Sequence, residues 1–271
     1  MNDTYDLTKY SASRLAELIR NHVVSSEEVV KAHISRIKKV NPRLNAVVVL
    51  TEKSALKSAR EADSLTKKSK SLPALHGVPI TIKDAFEVAG VISTGGTLGR
   101  KDYVPNTDAT SVKRLKQAGA IILGKTNLPE ISMGFESSNL IYGTANNPFD
   151  VKRIPGGSSG GEASIIAAGG SPFGIGSDAG GSIRWPAHCC GIVGMKPTTG
   201  RAPRTGHWPA FSGIFSLVTQ IGPMARSVED IALTLPLLSG PDGVDPTVLP
   251  IPLNDPAKVK LSDLNIAFHT D

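Results

Sequence analysis

With 271 residues, 40% of them hydrophobic and 20% charged, the chain has the make-up of a soluble globular protein with a sizeable core, by default one large domain. Lys and Arg number 30 against 24 Asp and Glu, but they are spread out. The densest run, Lys67, Lys68 and Lys70, therefore reads as a solvated helix end, which argues against a nucleic-acid partner.

The N-terminus has no basic segment followed by an apolar one, and nowhere do about 18 apolar residues run together, so a cytoplasmic protein without a membrane segment is expected. Ser11 opens a short helix through Leu18. Ser25-Ser26-Glu27-Glu28 forms a capping box for a second helix, expected to end near Asn41-Pro42. An apolar run from Ala46 to Leu50 precedes a charged helix from Glu52 to Lys68, and Val78 to Ile82 reads as a β-branched strand that delivers Lys83 at its end. Ser111 to Ala118 reads as helix, Ala120 to Leu123 as strand, Ser227 to Leu238 as helix and Leu264 to Phe268 as a last strand. This interleaving implies an α/β protein, with a helical N-terminal segment over residues 1–45 and a core over 75–240 of a single domain, 1–271. The adjacent Cys189 and Cys190 give no disulfide framework and read as two buried thiols.

Between Gly156 and Gly206 glycines cluster, as tight turns or as backbone brought close to something. Gly156-Gly157-Ser158-Ser159-Gly160 fits the G-x-S-x-G elbow, but no strand precedes it, and His188, His207 and His269 lack an acidic orienter and read as structural or exposed. The S-x-x-K matches at Ser54 and Ser64 lie in a polar helix and read as chance. Metal-ligand spacings and phosphate-binding glycine signatures are missing, so no cofactor or metal is expected.

What remains is a lysine after a strand, then GGSSGG, then GSDAGGSIRWPA. The runs Gly77–Asp84, Gly124–Asn127, Asn146–Pro148, Gly156–Gly161, Gly176–Ala187 and Gly194–Thr198 resemble, in order, the amidase-signature family. The resemblance implies that family's fold, a mixed β-sheet covered by helices on both faces. Family members are usually much longer, so the fold is expected to be incomplete here.

By motif match, the resemblance makes Ser182 the nucleophile, Ser158 a bridging serine preceded by a cis peptide, and Lys83 the base. It assigns the oxyanion hole to the amides of Ala179, Gly180, Gly181 and Ser182. Asp178 and Arg184 would support that loop, Ser159 would orient Lys83, and Met133 would line the acyl site unless it packs in the core. Two departures from the family's usual residues, Ala179 and the Cys189–Cys190 pair, touch no catalytic side chain. The expected reaction is hydrolysis of a small-molecule carboxylic amide through an acyl-serine. Glu162 after GGSSGG is closer to fatty-acid amide hydrolases and bacterial acylamidases than to the A subunit of a glutamine-dependent aminoacyl-tRNA amidotransferase, which would need a partner, ATP and tRNA. An inactive truncated scaffold is the third reading. Whether the chain forms a homodimer is left open.

Overall fold

The computed structural model describes residues 6–69, 71–265 and 267. Helix α1 (Ala12–Arg20) is capped by Ser11, whose side chain accepts from the Arg14 amide. Helix α2 (Ser26–Leu44) begins in the reciprocal Ser25–Glu28 capping box. It does not stop at Pro42. In the last turn a proline forfeits only one backbone bond, and the end is set instead by Asn45, left-handed at φ 45°, whose N–H donates to the Asn41 carbonyl.

The chain continues through β1 (Val47–Leu50), α3 (Glu52–Thr66), β2 (Pro79–Lys83), α4 (Thr110–Gln117) and β3 (Ile121–Thr126). A small hairpin, β4 (Ser138–Asn139) and β5 (Gly143–Thr144), leads to α5 (Gly160–Ala167), β6 (Phe173–Asp178), α6 (Arg184–Cys190) and β7 (Val193–Gly194). Last come α7 (Ile214–Val218), β8 (Gln220–Ala225) and α8 (Val228–Leu238). Leu264, Asn265 and Ala267 form no strand, and Ile266 and Phe268 of the expected terminal strand lie outside the described residues.

Six strands form one sheet in the order β1-β3-β2-β6-β8-β7. β2 runs parallel to both β3 and β6, while β1, β8 and β7 join antiparallel, so the sheet is mixed and the fold is α/β. Alternation along each strand sends side chains to both faces of the sheet, where the buried apolar residues form three clusters, one of them Ala163, Ile166, Ile183, Cys190 and Met224. Ile80, Ile82, Phe173, Ile175 and Ile221 pack with α1, α4 and α8, whereas Ile121 and Leu123 pack with α2, α3 and Ile165 of α5.

β6 escaped the sequence reading because Gly174 and Gly176 break its apolar alternation. Both serve close approach to α5. A Cβ on Gly174 would overlap the Glu162 carboxyl and the Thr81 carbonyl, and one on Gly176 would lie 2.7 Å from Ser159 Oγ. Strand β6 is therefore glycine-rich because a buried helix lies directly on it.

Candidate active site

β2 and β6 are parallel neighbours, with Ile82 beside Ile175, so their C-terminal ends, Lys83 and Asp178, open on the same side of the sheet. The loop before α5 brings Ser158 to that rim. Gly156 sits at φ 82°, where a Cβ would come 2.7 Å from Pro186 Cα, and the Gly157–Ser158 peptide is cis. Ser137 braces this loop: its hydroxyl donates to the Gly156 carbonyl at 3.1 Å and accepts from the Gly160 amide at 2.9 Å. The Ser159 amide donates to the Ser182 carbonyl at 3.1 Å, which ties the loops carrying Ser158 and Ser182 together.

The Lys83 side chain is fully buried, with Nζ 2.7 Å from Ser158 Oγ and 3.0 Å from Ser177 Oγ. Burial pushes its ammonium down to about 7, although the carboxylates of Asp178 and Glu162 work in the opposite direction. A second lysine, Lys125, is equally buried but has Asp84 Oδ1 at 2.7 Å. Burial lowers the Lys125 ammonium as well, opposed by the Asp84 carboxylate beside it. Lys83 has hydroxyl partners only, and those are compatible with a neutral amine. Glu162 accepts from the Thr81 and Thr126 hydroxyls, the latter at 2.8 Å, and burial raises its carboxyl to about 7.

Ser182 is half-buried, and among the described residues its hydroxyl has no hydrogen-bond partner, Ser158 included. Its loop is wrapped around the Asp178 carboxylate. Oδ1 accepts from the Gly181 amide at 2.7 Å and Arg184 Nη2 at 2.9 Å; Oδ2 accepts from the Ile183 and Arg184 amides at 3.0 and 3.2 Å and from Arg184 Nε at 3.0 Å. Burial opposes ionisation of Asp178, but the Arg184 guanidinium and these amides outweigh it and hold the carboxyl below the usual carboxylate range. The Gly181 amide is thus already engaged. Among the described residues, the amides of Ala179, Gly180 and Ser182 donate to no protein group.

Several expectations change. Ser159 does not touch Lys83, because its hydroxyl points along β6 to the Ser177 carbonyl, 3.5 Å away; the second partner of the lysine is Ser177 itself. Met133 does not pack in the core, being 58% exposed beside an equally exposed Phe135. The backbone of Gly134 and Phe135 lies against Gly157, where a Cβ would come 2.7 Å from the Gly134 oxygen, so the Met133 loop abuts the serine loop. Of the histidines, His188 is exposed and stacks on Trp185, His269 lies outside the described residues, and His207 is buried against Ser177. Sequence reasoning missed His207 because its orienter is a backbone carbonyl and not an acid. Cys190 is buried, with its thiol on the Pro155 carbonyl, but Cys189 is only half-buried, packed against the edge of the same apolar cluster.

Among the described residues, no group of His, Cys, Asp or Glu is arranged to hold a metal ion, and no helix is long and apolar enough to cross a membrane. The sequence profile of the Amidase family matches residues 28–271. The chain is 44% identical over 256 residues to an indoleacetamide hydrolase of Bradyrhizobium diazoefficiens, covering 92% of this chain and 48% of that protein. It is 42% identical over 248 residues to the A subunit of the glutamyl-tRNA(Gln) amidotransferase of a Sulfurihydrogenibium species, covering 92% and 50%. Its fold superimposes on a solved fatty acid amide hydrolase with a TM-score of 0.87 at 33% identity, over 94% of this chain and 46% of that one. The chain spans about half the length of these relatives. A match that runs from the second helix to the last residue and includes both serine loops and the lysine strand leaves one assignment: this chain belongs to the Amidase family.

Proposed function

We propose that this chain carries the catalytic core of an amidase that hydrolyses a linear carboxylic amide through an acyl-Ser182 intermediate. The observation that carries the reading is Lys83, buried without a bonded carboxylate and 2.7 Å from Ser158. A serine hydroxyl is a weak nucleophile until a base removes its proton, and a lysine kept neutral near pH 7 can be that base. In this reading Ser182 Oγ attacks the amide carbonyl while its proton passes to Ser158 Oγ and the Ser158 proton passes to Lys83 Nζ. The developing oxyanion is met by the amides of Ala179, Gly180 and Ser182, with Gly181 serving the loop by its bond to Asp178. Collapse breaks the C–N bond, and the leaving amine takes the proton back through Ser158. Water, activated by the same relay, then hydrolyses the ester and regenerates Ser182. The exposed Met133 and Phe135, carried on the loop whose backbone abuts Gly157, supply an apolar wall for the acyl group.

A second reading has a specific observation behind it, the 42% identity to the A chain of a tRNA-dependent amidotransferase, in which the same core would supply ammonia to a partner. Purified protein incubated with simple aryl and acyl amides separates the two. Hydrolysis without ATP, glutamine or metal is expected; strict dependence on ATP and tRNA would overturn the amidase reading, and full-length material with no amide turnover under any condition would favour a scaffold.

A further inference from the structure

Ser177, one residue from the end of β6, is held from two sides. Its Oγ is 3.0 Å from Lys83 Nζ and 2.8 Å from His207 Nε2. The other ring nitrogen, Nδ1, is 3.0 Å from the carbonyl oxygen of Pro209. A carbonyl can only accept, so Nδ1 carries the ring proton and Nε2 presents its lone pair. Ser177 must then donate its single proton to Nε2, which leaves its oxygen as an acceptor facing Lys83. Lys83 in turn commits an N–H to Ser177. A neutral amine has one lone pair, and this arrangement directs it away from Ser177 and toward Ser158.

The ring is built in rather than lodged there. His207 is 5% exposed, with Phe86 edge-on at 5.1 Å between ring centroids and Phe211 at 5.6 Å. Burial, assisted by the positive charges of Lys83 and Arg204, pushes its imidazolium down to about 3, so the ring is neutral wherever Lys83 titrates. The charged groups facing Lys83 are Glu162 from α5 and Asp178 from the end of β6, and Arg204 faces His207 from its own segment. None of these is altered by exchanging the imidazole for another uncharged side chain.

On the reading of Lys83 as the base, we infer that His207 is a positioning residue: through Ser177 it fixes the direction of the hydrogen bonds at Lys83 so that the amine lone pair faces Ser158. Loss of the acceptor at Nε2 frees Ser177 to turn its proton onto that lone pair, which stabilises the neutral amine and blocks it as a base.

The experiment is NMR on the full 271-residue chain. The 15N shifts of the His207 ring report its tautomer, and the 13Cε shift of Lys83 is followed through pH 5–10 in the wild type, His207→Phe, His207→Gln, Ser177→Ala and the Ser177→Ala/His207→Phe double variant. The ring is expected as the Nδ1–H tautomer. His207→Phe is expected to lower the Lys83 midpoint by about one pH unit, the size of one changed hydrogen bond at a charged group. His207→Gln should restore it, because the Gln carbonyl can accept from Ser177 while its amide donates to Pro209. The double variant should match Ser177→Ala, since His207 acts only through that hydroxyl. An Nε2–H tautomer in the wild type, a midpoint unmoved by His207→Phe, or shifts that add in the double variant would overturn the inference. The tautomer is read on the unaltered protein, so a variant that fails to fold does not remove the test. A wild-type Lys83 titrating near the free-lysine value of about 10.4 would instead sink the base reading itself.

Discussion

Replacing Glu162 with Gln should stabilise the protein, and by an amount that depends on pH. The carboxyl lies fully buried on β6 between the hydroxyls of Thr81 and Thr126, and burial raises it from 4.5 to about 7. Below pH 4.5 it is protonated in both the folded and the unfolded chain, and the glutamate costs nothing relative to a neutral isostere. Between 4.5 and 7 the unfolded chain ionises while the folded one resists, so stability falls as pH rises; above 7 the whole cost is present. A shift from 4.5 to about 7 corresponds to about 3 kcal/mol. For a domain of this size that is about 6 °C in Tm. Gln keeps the shape, accepts from one threonine hydroxyl and donates to the other, but cannot ionise. Thermal unfolding of both chains from pH 4 to 8 should therefore give curves that separate toward neutral pH, with Glu162→Gln higher. The depressed lysine has the opposite sense, its cost being full below about 7 and relieved as pH rises to 10.5; Glu162 supports its charged form, so Glu162→Gln also forgoes that interaction, the smallest of the causes acting on the carboxyl. Parallel curves, or a gap that closes toward neutral pH, would refute the reasoning.

Ser158→Ala removes the hydroxyl 2.7 Å from Lys83 and should slow amide turnover by about 10² to 10⁴-fold in steady-state assays, the range for general acid–base assistance; an unchanged rate would remove Ser158 from the proton path. Gly174→Ala forces a methyl into the Glu162 carboxyl and should cost about 1–3 kcal/mol by urea unfolding, whereas an unchanged midpoint would mean that α5 does not lie on β6 as described. Asp178→Asn cannot accept along both edges, which leaves at least one of the bonds from Gly181, Ile183 and Arg184 unmade; a loss of about 1–3 kcal/mol and slower acylation of Ser182 are expected, and wild-type acylation would show that the carboxylate does not shape the loop.

Much of the frame was legible in the residues themselves. The Ser25–Glu28 capping box started α2 where the sequence placed it, and the β-branched run before Lys83 became β2, because local chemistry and burial agree there. Reading failed where tertiary packing set the rule. Gly174 and Gly176 hid β6, since their absent side chains are explained only by the helix lying on that strand. Ser159, next in the motif, looked like the natural partner of Lys83, yet the end of β6 presents Ser177 instead. His207 carried no local signal at all: it is 30 residues from Ser177, and its second partner is the Pro209 carbonyl, a group every residue has. The oxyanion assignment could not register that Asp178 occupies the Gly181 amide, because that depends on how the loop folds around one carboxylate.

The central claim, that Lys83 activates Ser182 through Ser158, is tested most directly by the pH dependence of covalent labelling with a fluorophosphonate, read by intact mass and peptide mapping. One adduct is expected, on Ser182, with a labelling rate that rises through a midpoint near the value of about 7 to which burial depresses Lys83. In Lys83→Met that rise should disappear together with most of the rate. An adduct on Ser158, undiminished labelling of Ser182→Ala, or a rate indifferent to Lys83→Met would contradict the account.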